Sequence, residues 1–435
     1  MTTTAETPGT GRLRGLWHSS SFLAVCTVVM NVATYGFQMI CARILGNDKY
    51  GSIASLMALL LILSVFQLGL QATAARRVAA APDRIEDIER VVKAVTYRTS
   101  LTLGGIMLIL SPVVWKVLKL DSIIPALLIA ICAVPLTVMG GQAGILQGER
   151  RWRDLSLVYL ALGVPRVAVG TAAILIRPTE GAAMAGVTVA QFAPMVVGWW
   201  VLRHRRTTNP PEALRATVTE MLHGSFALLG FFVLSNVDIL IARQLFPGHG
   251  GGGWFNTGDD LYAGGLILTK AVLFLPQFVV VVAFPSMSTA GSRLRSLMVS
   301  LGAVVGLGVV AMLGAWLLSG LALVFVGGHD YRQIESKLWL FALLGMLLSL
   351  LQLLVYSVLA RQHRSSAYLI WAAVLALIGL GAHINSMPVA QRFNGLLHTV
   401  IAVDGVLTVL LLALSLWHLR GEMPERERAA AAPRP

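Results

Sequence analysis

The feature that most constrains this chain is a train of long apolar stretches. Twelve runs of about 20 mainly apolar residues follow one another, and each is long enough for an α-helix to cross a bilayer. They cover roughly 21–42, 51–74, 96–115, 122–146, 155–176, 181–202, 221–246, 261–284, 297–326, 337–360, 367–384 and 398–419. The longest connections, 203–220 and 247–260, are loops rather than domains. Any function therefore sits inside the helical bundle or at its mouths. The composition agrees: 56% of the 435 residues are hydrophobic and only 13% are charged, against about 25% charged in soluble domains. Disorder, a fibrous chain and an ordinary cytosolic enzyme are excluded.

Against this background the net charge is +13. A soluble chain with that balance often binds nucleic acid, whereas in a membrane protein it reflects topology. The positions decide between the two. With twelve spans, both termini lie on one side, and that side carries 22 Lys and Arg. The opposite loops carry 9, and Arg98, Arg166 and Lys270 fall within spans. The bias holds loop after loop, so the sequence predicts a multi-pass plasma-membrane protein with both termini cytoplasmic and no nucleic-acid partner. Residues 1–20 read as a cytoplasmic segment. The first run is longer than a signal-peptide core and ends at Arg43, so it reads as an uncleaved span. Cys26, Cys41 and Cys132 are scattered, with no C-x-x-C spacing. No metal or other cofactor is expected.

A weak internal repeat organises the chain. Cys41-Ala42-Arg43-Ile44-Leu45 ends the first run, and Ile241-Ala242-Arg243-Gln244-Leu245 ends the seventh. Asp48-Lys49-Tyr50-Gly51 then meets Asp260-Leu261-Tyr262-Ala263. Leu146-Gln147-Gly148-Glu149-Arg150-Arg151 meets Leu359-Ala360-Arg361-Gln362-His363-Arg364. Six spans separate the copies, an even number, so the repeats are parallel. The expected fold is an all-α polytopic membrane protein of about 12 transmembrane helices in two six-helix lobes. The lobes cover 21–202 and 221–419, joined by a cytoplasmic linker at 203–220. The charged, Ala/Pro-rich tail at 420–435 reads as disordered.

Four stretches carry a resemblance to a known family. They are Asn31 with Ala42-Arg43-Ile44-Leu45-Gly46 and Tyr50-Gly51; Gly144 to Trp152; Ser235-Asn236-Val237-Asp238 with Ala242-Arg243; and Leu261-Tyr262-Ala263 with Thr269-Lys270 and Leu275-Pro276-Gln277. The chain resembles the MOP exporter superfamily, nearest its polysaccharide biosynthesis, or Wzx-like, flippases. The resemblance implies a MATE-like pair of six-helix bundles that moves lipid-linked sugars from the inner to the outer leaflet. It implies a cavity lined by spans one, two, seven and eight. It also implies a lipid-linked oligosaccharide substrate, contact with membrane lipid, and glycosyltransferases or a polymerase as partners.

Charge inside the membrane is costly, about 2.5–3.5 kcal/mol at mid-bilayer on insertion scales. Four residues stand out: Arg166, Asp238, Lys270 and Asp404. Asp238 and Lys270 lie at matching depth, about 12–14 Å from the outer surface at 1.5 Å per residue. Two readings stand: mutual neutralisation, or a Lys270 that faces the cavity and receives a substrate pyrophosphate beside Gln277. Arg166 has no obvious carboxylate at its depth and reads as a second cavity cation. Asn31, Tyr35 and Gln38 form one polar stripe, and Gln67 and Gln71 belong to another. Both suit sugar contacts, and both suit interhelical hydrogen bonds. Arg43 and Arg243 read as interfacial snorkels or as gate residues that meet Asp48, Asp259 or Asp260. Asp404 reads as a polar packing contact or a protonatable coupling site.

Other functions are a multidrug or cation antiporter of the same fold, and a non-transporting scaffold of a polysaccharide synthesis complex. An enzyme is not expected. There is no Walker A pattern, no H-E-x-x-H, no G-x-S-x-G, and no sizeable outer loop for catalytic groups.

Overall fold

The computed structural model describes residues 20–46, 49–80, 84–203, 214–246, 258–274, 293–359 and 365–421. The helices in chain order are α1 (Ser20–Leu45), α2 (Tyr50–Ala80), α3 (Ile85–Val117), α4 (Ile124–Gly148), α5 (Trp152–Ile176), α6 (Glu180–Leu202) and α7 (Leu214–Leu245). There follow α8 (Gly258–Phe274), α9 (Arg293–Leu317), α10 (Ser319–Val326), a 3-10 helix at His329–Lys337, α11 (Leu338–Leu359), α12 (Ser365–Asn385) and α13 (Val389–Gly421). As far as the described residues reach, the twelve runs fall on helices; the eighth, 261–284, is described only to Phe274. Eleven helical segments are long and apolar enough to cross a membrane; α8, as described, has 17 residues.

The boundaries differ from expectation where polarity changes before the helix does. α2, α3 and α13 have 31, 33 and 33 residues, longer than the roughly 20 that hydrocarbon needs. Their extra turns carry the basic and acidic residues that a hydropathy reading assigns to loops. The ninth run is divided: α9 ends at Leu317 and α10 begins at Ser319. α5 continues through Pro165 as one helix.

The chain divides into two compact units. Unit 1 is Met1–Phe226 with Gly248–Gly264, and unit 2 is Ala227–Pro247 with Gly265–Pro435. In unit 1, α4 is the hub and packs against α2, α3, α5 and α6. The reason is a row of glycines. Gly140, Gly144 and Gly148 recur every four residues, and a Cβ on any of them would run into the α2 backbone at Gln67, Gln71 or Ala75. Small residues at this spacing let helices approach to backbone contact, which is how helices associate without a hydrophobic drive between them. Gly163 does the same for α5 on α1 at Met30, and Gly170 meets Phe37.

Unit 2 repeats this scheme by itself. α11 is its hub and packs on α9 and α13. Gly345 of α11 abuts the Thr269 carbonyl and Val272 of α8, and Thr269 Oγ1 donates to the Phe341 carbonyl at 2.8 Å. Gly230 of α7 meets Trp371 of α12, as Gly163 of α5 meets α1. The hub, its partners and the α1–α5 pair of unit 1 thus have counterparts in unit 2, as a parallel repeat requires. The outward faces are apolar, with Ile109, Leu175, Ile176, Val310, Leu375 and Val409 exposed. They are suited to hydrocarbon.

Candidate functional site: buried charge in each unit

In unit 1 the cation within a span is Arg166, half-buried on α5 and set near α1, α4 and α6. The fully buried charged residues described in that unit, Glu89, Glu180, Asp259 and Asp260, are carboxylates. Arg166 Nη2 donates to Gln191 Oε1 at 2.8 Å. Tyr35 of α1 and Cys132 of α4 are the electrostatic neighbours of Arg166. Among the described residues no carboxylate pairs with it, and its Nε has no acceptor. Gln191 is 1% exposed and leaves its own Nε2 unpartnered. A guanidinium presents five donors in a rigid fork. Here one amide oxygen answers it, so a fixed positive charge with donors to spare sits inside the helical bundle. Such an arrangement accepts an anion.

The polar stripe of α1 is next to it. Asn31 and Tyr35 are half-buried. Gln38 is buried, and its Oε1 accepts from the Tyr50 hydroxyl at 3.4 Å. Gln67 and Gln71 face α4 inside the unit. Gln71 Nε2 donates to Gln147 Oε1 at 2.8 Å and to the Tyr159 hydroxyl at 2.7 Å. That is the interhelical role that competed with sugar contact in the sequence.

In unit 2 three charged side chains converge from α7, α8 and α13. Lys270 is buried, its Nζ donates to the Ser235 carbonyl, and Asp238 and Asp404 both act on it electrostatically. Asp238 Oδ1 accepts from the Ile239 amide at 2.8 Å. Asp404 is 1% exposed, and neither of its carboxylate oxygens has a hydrogen-bond partner among the described residues. The sequence paired Asp238 with Lys270 and treated Asp404 apart, because Asp404 lies more than 130 residues further on. Its depth midway along α13 was the available signal. Two carboxylates around one ammonium leave room for a proton or a cation.

The other candidates separate. Arg43 is exposed at the end of α1. Its repeat mate Arg243 is 1% exposed, so the interfacial snorkel expected there is corrected: the side chain is enclosed and has partners. Asp260, a proposed gate residue, accepts the Gly51 amide at the first turn of α2. An anionic group suits a helix N-terminus. Gln277 and Asp48 lie outside the described residues. On the basic face, Arg151 ties the α4–α5 turn together by meeting Asp154 at 2.7 Å and Glu149 at 3.4 Å.

A family model described as "Polysaccharide biosynthesis protein" matches residues 16–291. The chain belongs to this family. No curated protein matches it in sequence. Among solved structures it is similar to an inward-facing multidrug resistance MATE family transporter of the MOP superfamily. That match has a TM-score of 0.71 at 10% identity and covers 92% of this chain and 98% of that one. A MATE structure in complex with MaL6 gives a TM-score of 0.67 at 12% identity, covering 96% and 99%. A MOP superfamily transporter from Pyrococcus furiosus, described as having a binding pocket of reverse polarity, gives a TM-score of 0.63 at 11% identity, covering 96% and 99%. These likenesses establish the fold. The family member is thus a multi-pass helical membrane protein with the MOP-superfamily architecture, as its four sequence stretches indicated.

Proposed function

We propose that this polysaccharide-biosynthesis family member is a flippase for a polyprenyl-pyrophosphate-linked oligosaccharide or a related glycolipid. The observation that carries the proposal is Arg166, a half-buried guanidinium answered by one amide and no carboxylate among the described residues. A pyrophosphate headgroup supplies the missing anion, and the half-buried Asn31 and Tyr35 offer polar contacts to sugar. The lobes 21–202 and 221–419 alternate access to the two faces, with both termini cytoplasmic, and no covalent chemistry is involved. The prenyl tail trails in lipid while the charged head crosses in a polar environment.

The Asp238–Lys270–Asp404 cluster supports a second role in the same cycle. Asp404, buried with both oxygens unpartnered, takes up a proton or cation, and the exchange drives the step that resets the lobes. An antiporter that extrudes cationic drugs finds less support, because the charge beside the polar stripe of α1, Arg166, is positive.

The test is reconstitution in vesicles with a labelled polyprenyl-pyrophosphate oligosaccharide, reading the access of an external lectin to the sugar. Protein-dependent gain of access is expected. No gain above protein-free vesicles overturns the flippase reading.

A further inference from the structure

A separate cleft of about 130 Å³ opens in unit 1 between α3, α4 and α6. It lies at the end of the unit that carries the basic turns, beside the start of α3 and the end of α6. Its polar lining includes two unsatisfied atoms. Thr96 is 3% exposed, and its Oγ1 has no partner. Gln142 is 7% exposed; its Nε2 donates to the Met195 carbonyl at 3.2 Å, and its Oε1 has no partner. Glycines seat these two side chains: a Cβ on Gly141 would strike the Thr96 hydroxyl, and one on Gly198 would strike Gln142 Oε1. Buried polar atoms of this kind ordinarily find partners, so an unpaired donor and an unpaired acceptor in one cleft point to a ligand.

Charge narrows the ligand. Lys93 lines the cleft and meets the buried Glu89 carboxylate at 2.7 Å. Arg203 lines it too, with its guanidinium carbon 5.5 Å from the Trp200 ring centroid. Two cations against one carboxylate leave a single positive charge, which matches one phosphodiester. A diphosphate carries more negative charge than the cleft balances. Tyr97 and Trp199, 50% and 59% exposed, open the cleft sideways toward the membrane. Aromatic residues of this kind mark the headgroup level, and basic pockets between helices hold anionic headgroups there.

We propose that this cleft binds the headgroup of one anionic phospholipid. Lys93, Arg203 and the Thr96 hydroxyl hold the phosphodiester, and a headgroup hydroxyl donates to Gln142 Oε1. A phosphoglycerol group meets all four requirements and fits the space, whereas an oligosaccharide does not. This site is independent of the transport reading and of Arg166.

The experiment is native mass spectrometry of the full chain after exchange into mixed phosphatidylglycerol and phosphatidylcholine. Wild type retains phosphatidylglycerol in preference. Arg203→Gln lowers that preference about fivefold, the equivalent of roughly 1 kcal/mol for one cation. Thr96→Val lowers it without any change of charge, and Arg76→Gln, on an exposed residue outside the cleft, leaves it unchanged. Melting temperatures of the same samples check folding; if Arg203→Gln does not fold, the near-isosteric Thr96→Val carries the test. Equal retention in wild type and Thr96→Val overturns the proposal. Displacement of phosphatidylglycerol by a short polyprenyl diphosphate, one for one, also overturns it, and gives the cleft to the transported lipid.

Discussion

At the scale of the residue, the two intramembrane cations that look alike in sequence are held in opposite ways. Lys270 has two carboxylates in its field and a backbone carbonyl at its ammonium, whereas Arg166 has a single amide oxygen. They should fail differently. Arg166→Ala is expected to leave the protein folded and to slow flipping about 10- to 100-fold, the equivalent of a charged hydrogen bond worth roughly 1.5–3 kcal/mol. Arg166→Lys keeps the charge but loses the fork, so its rate falls between the two. Initial rates in vesicles, normalised to inserted protein, check both. Lys270→Ala strands Asp238 and Asp404 in a dry interior, and breaking a buried pair from one side costs roughly 3–5 kcal/mol. Its melting temperature in detergent should fall, and adding Asp238→Asn should restore part of the loss. A Lys270→Ala protein as stable as wild type would reject the cluster. The sequence revealed that Arg166 lacks a carboxylate at its depth and that Asp238 and Lys270 share one. It could not reveal Gln191 as the arginine's partner, because an amide carries no charge to mark it and lies on another helix.

At the scale of the element, helix existence followed from apolar run length, and helix ends did not. The runs stop where charge begins, but α3 keeps its hydrogen bonds through Glu86, Asp87 and Glu89 in its first turns, where negative charge meets the helix N-terminus. The packing logic was written in Gly140, Gly144 and Gly148, yet hydropathy does not read it, since glycine neither lengthens nor breaks an apolar run. Gly144→Ala puts a methyl group against the Gln71 carbonyl and the Ala74 side chain. Overpacking of this kind costs about 1–3 kcal/mol, so a lowered melting temperature is expected. Gly302→Ala, where nothing stands within 4 Å, is the control, and it should match or exceed wild type because alanine favours helix. The α4–α5 turn gives the opposite sign. Arg150 sits at φ 56°, a left-handed conformation that costs a non-glycine residue roughly 1–2 kcal/mol. Arg150→Gly should therefore raise stability slightly in a thermal melt, and Arg150→Val should lower it.

At the scale of the whole molecule, the two-unit architecture emerged from a repeat too weak to trust by identity alone. Bilayer helices draw on few residue types, so copies diverge to chance similarity while their packing partners persist. The α4 hub in unit 1 and the α11 hub in unit 2 preserve the scheme that the sequence had blurred. The charge bias is a property of the same scale: no single loop decides it, and 22 basic residues against 9 do. It makes a prediction about every loop at once. Ser386 is exposed in the turn between α12 and α13, on the sparsely charged face, and Ala430 lies in the basic tail. The three native cysteines are buried, so in a background lacking them an introduced thiol reports its own face. Ser386→Cys should react with an impermeant maleimide added to intact cells, and Ala430→Cys only after permeabilisation. The reverse pattern would place the basic loops outside. It would also move the anionic-lipid cleft beside Lys93 and Arg203 to the outer leaflet, so one labelling experiment fixes the sidedness of both proposed sites.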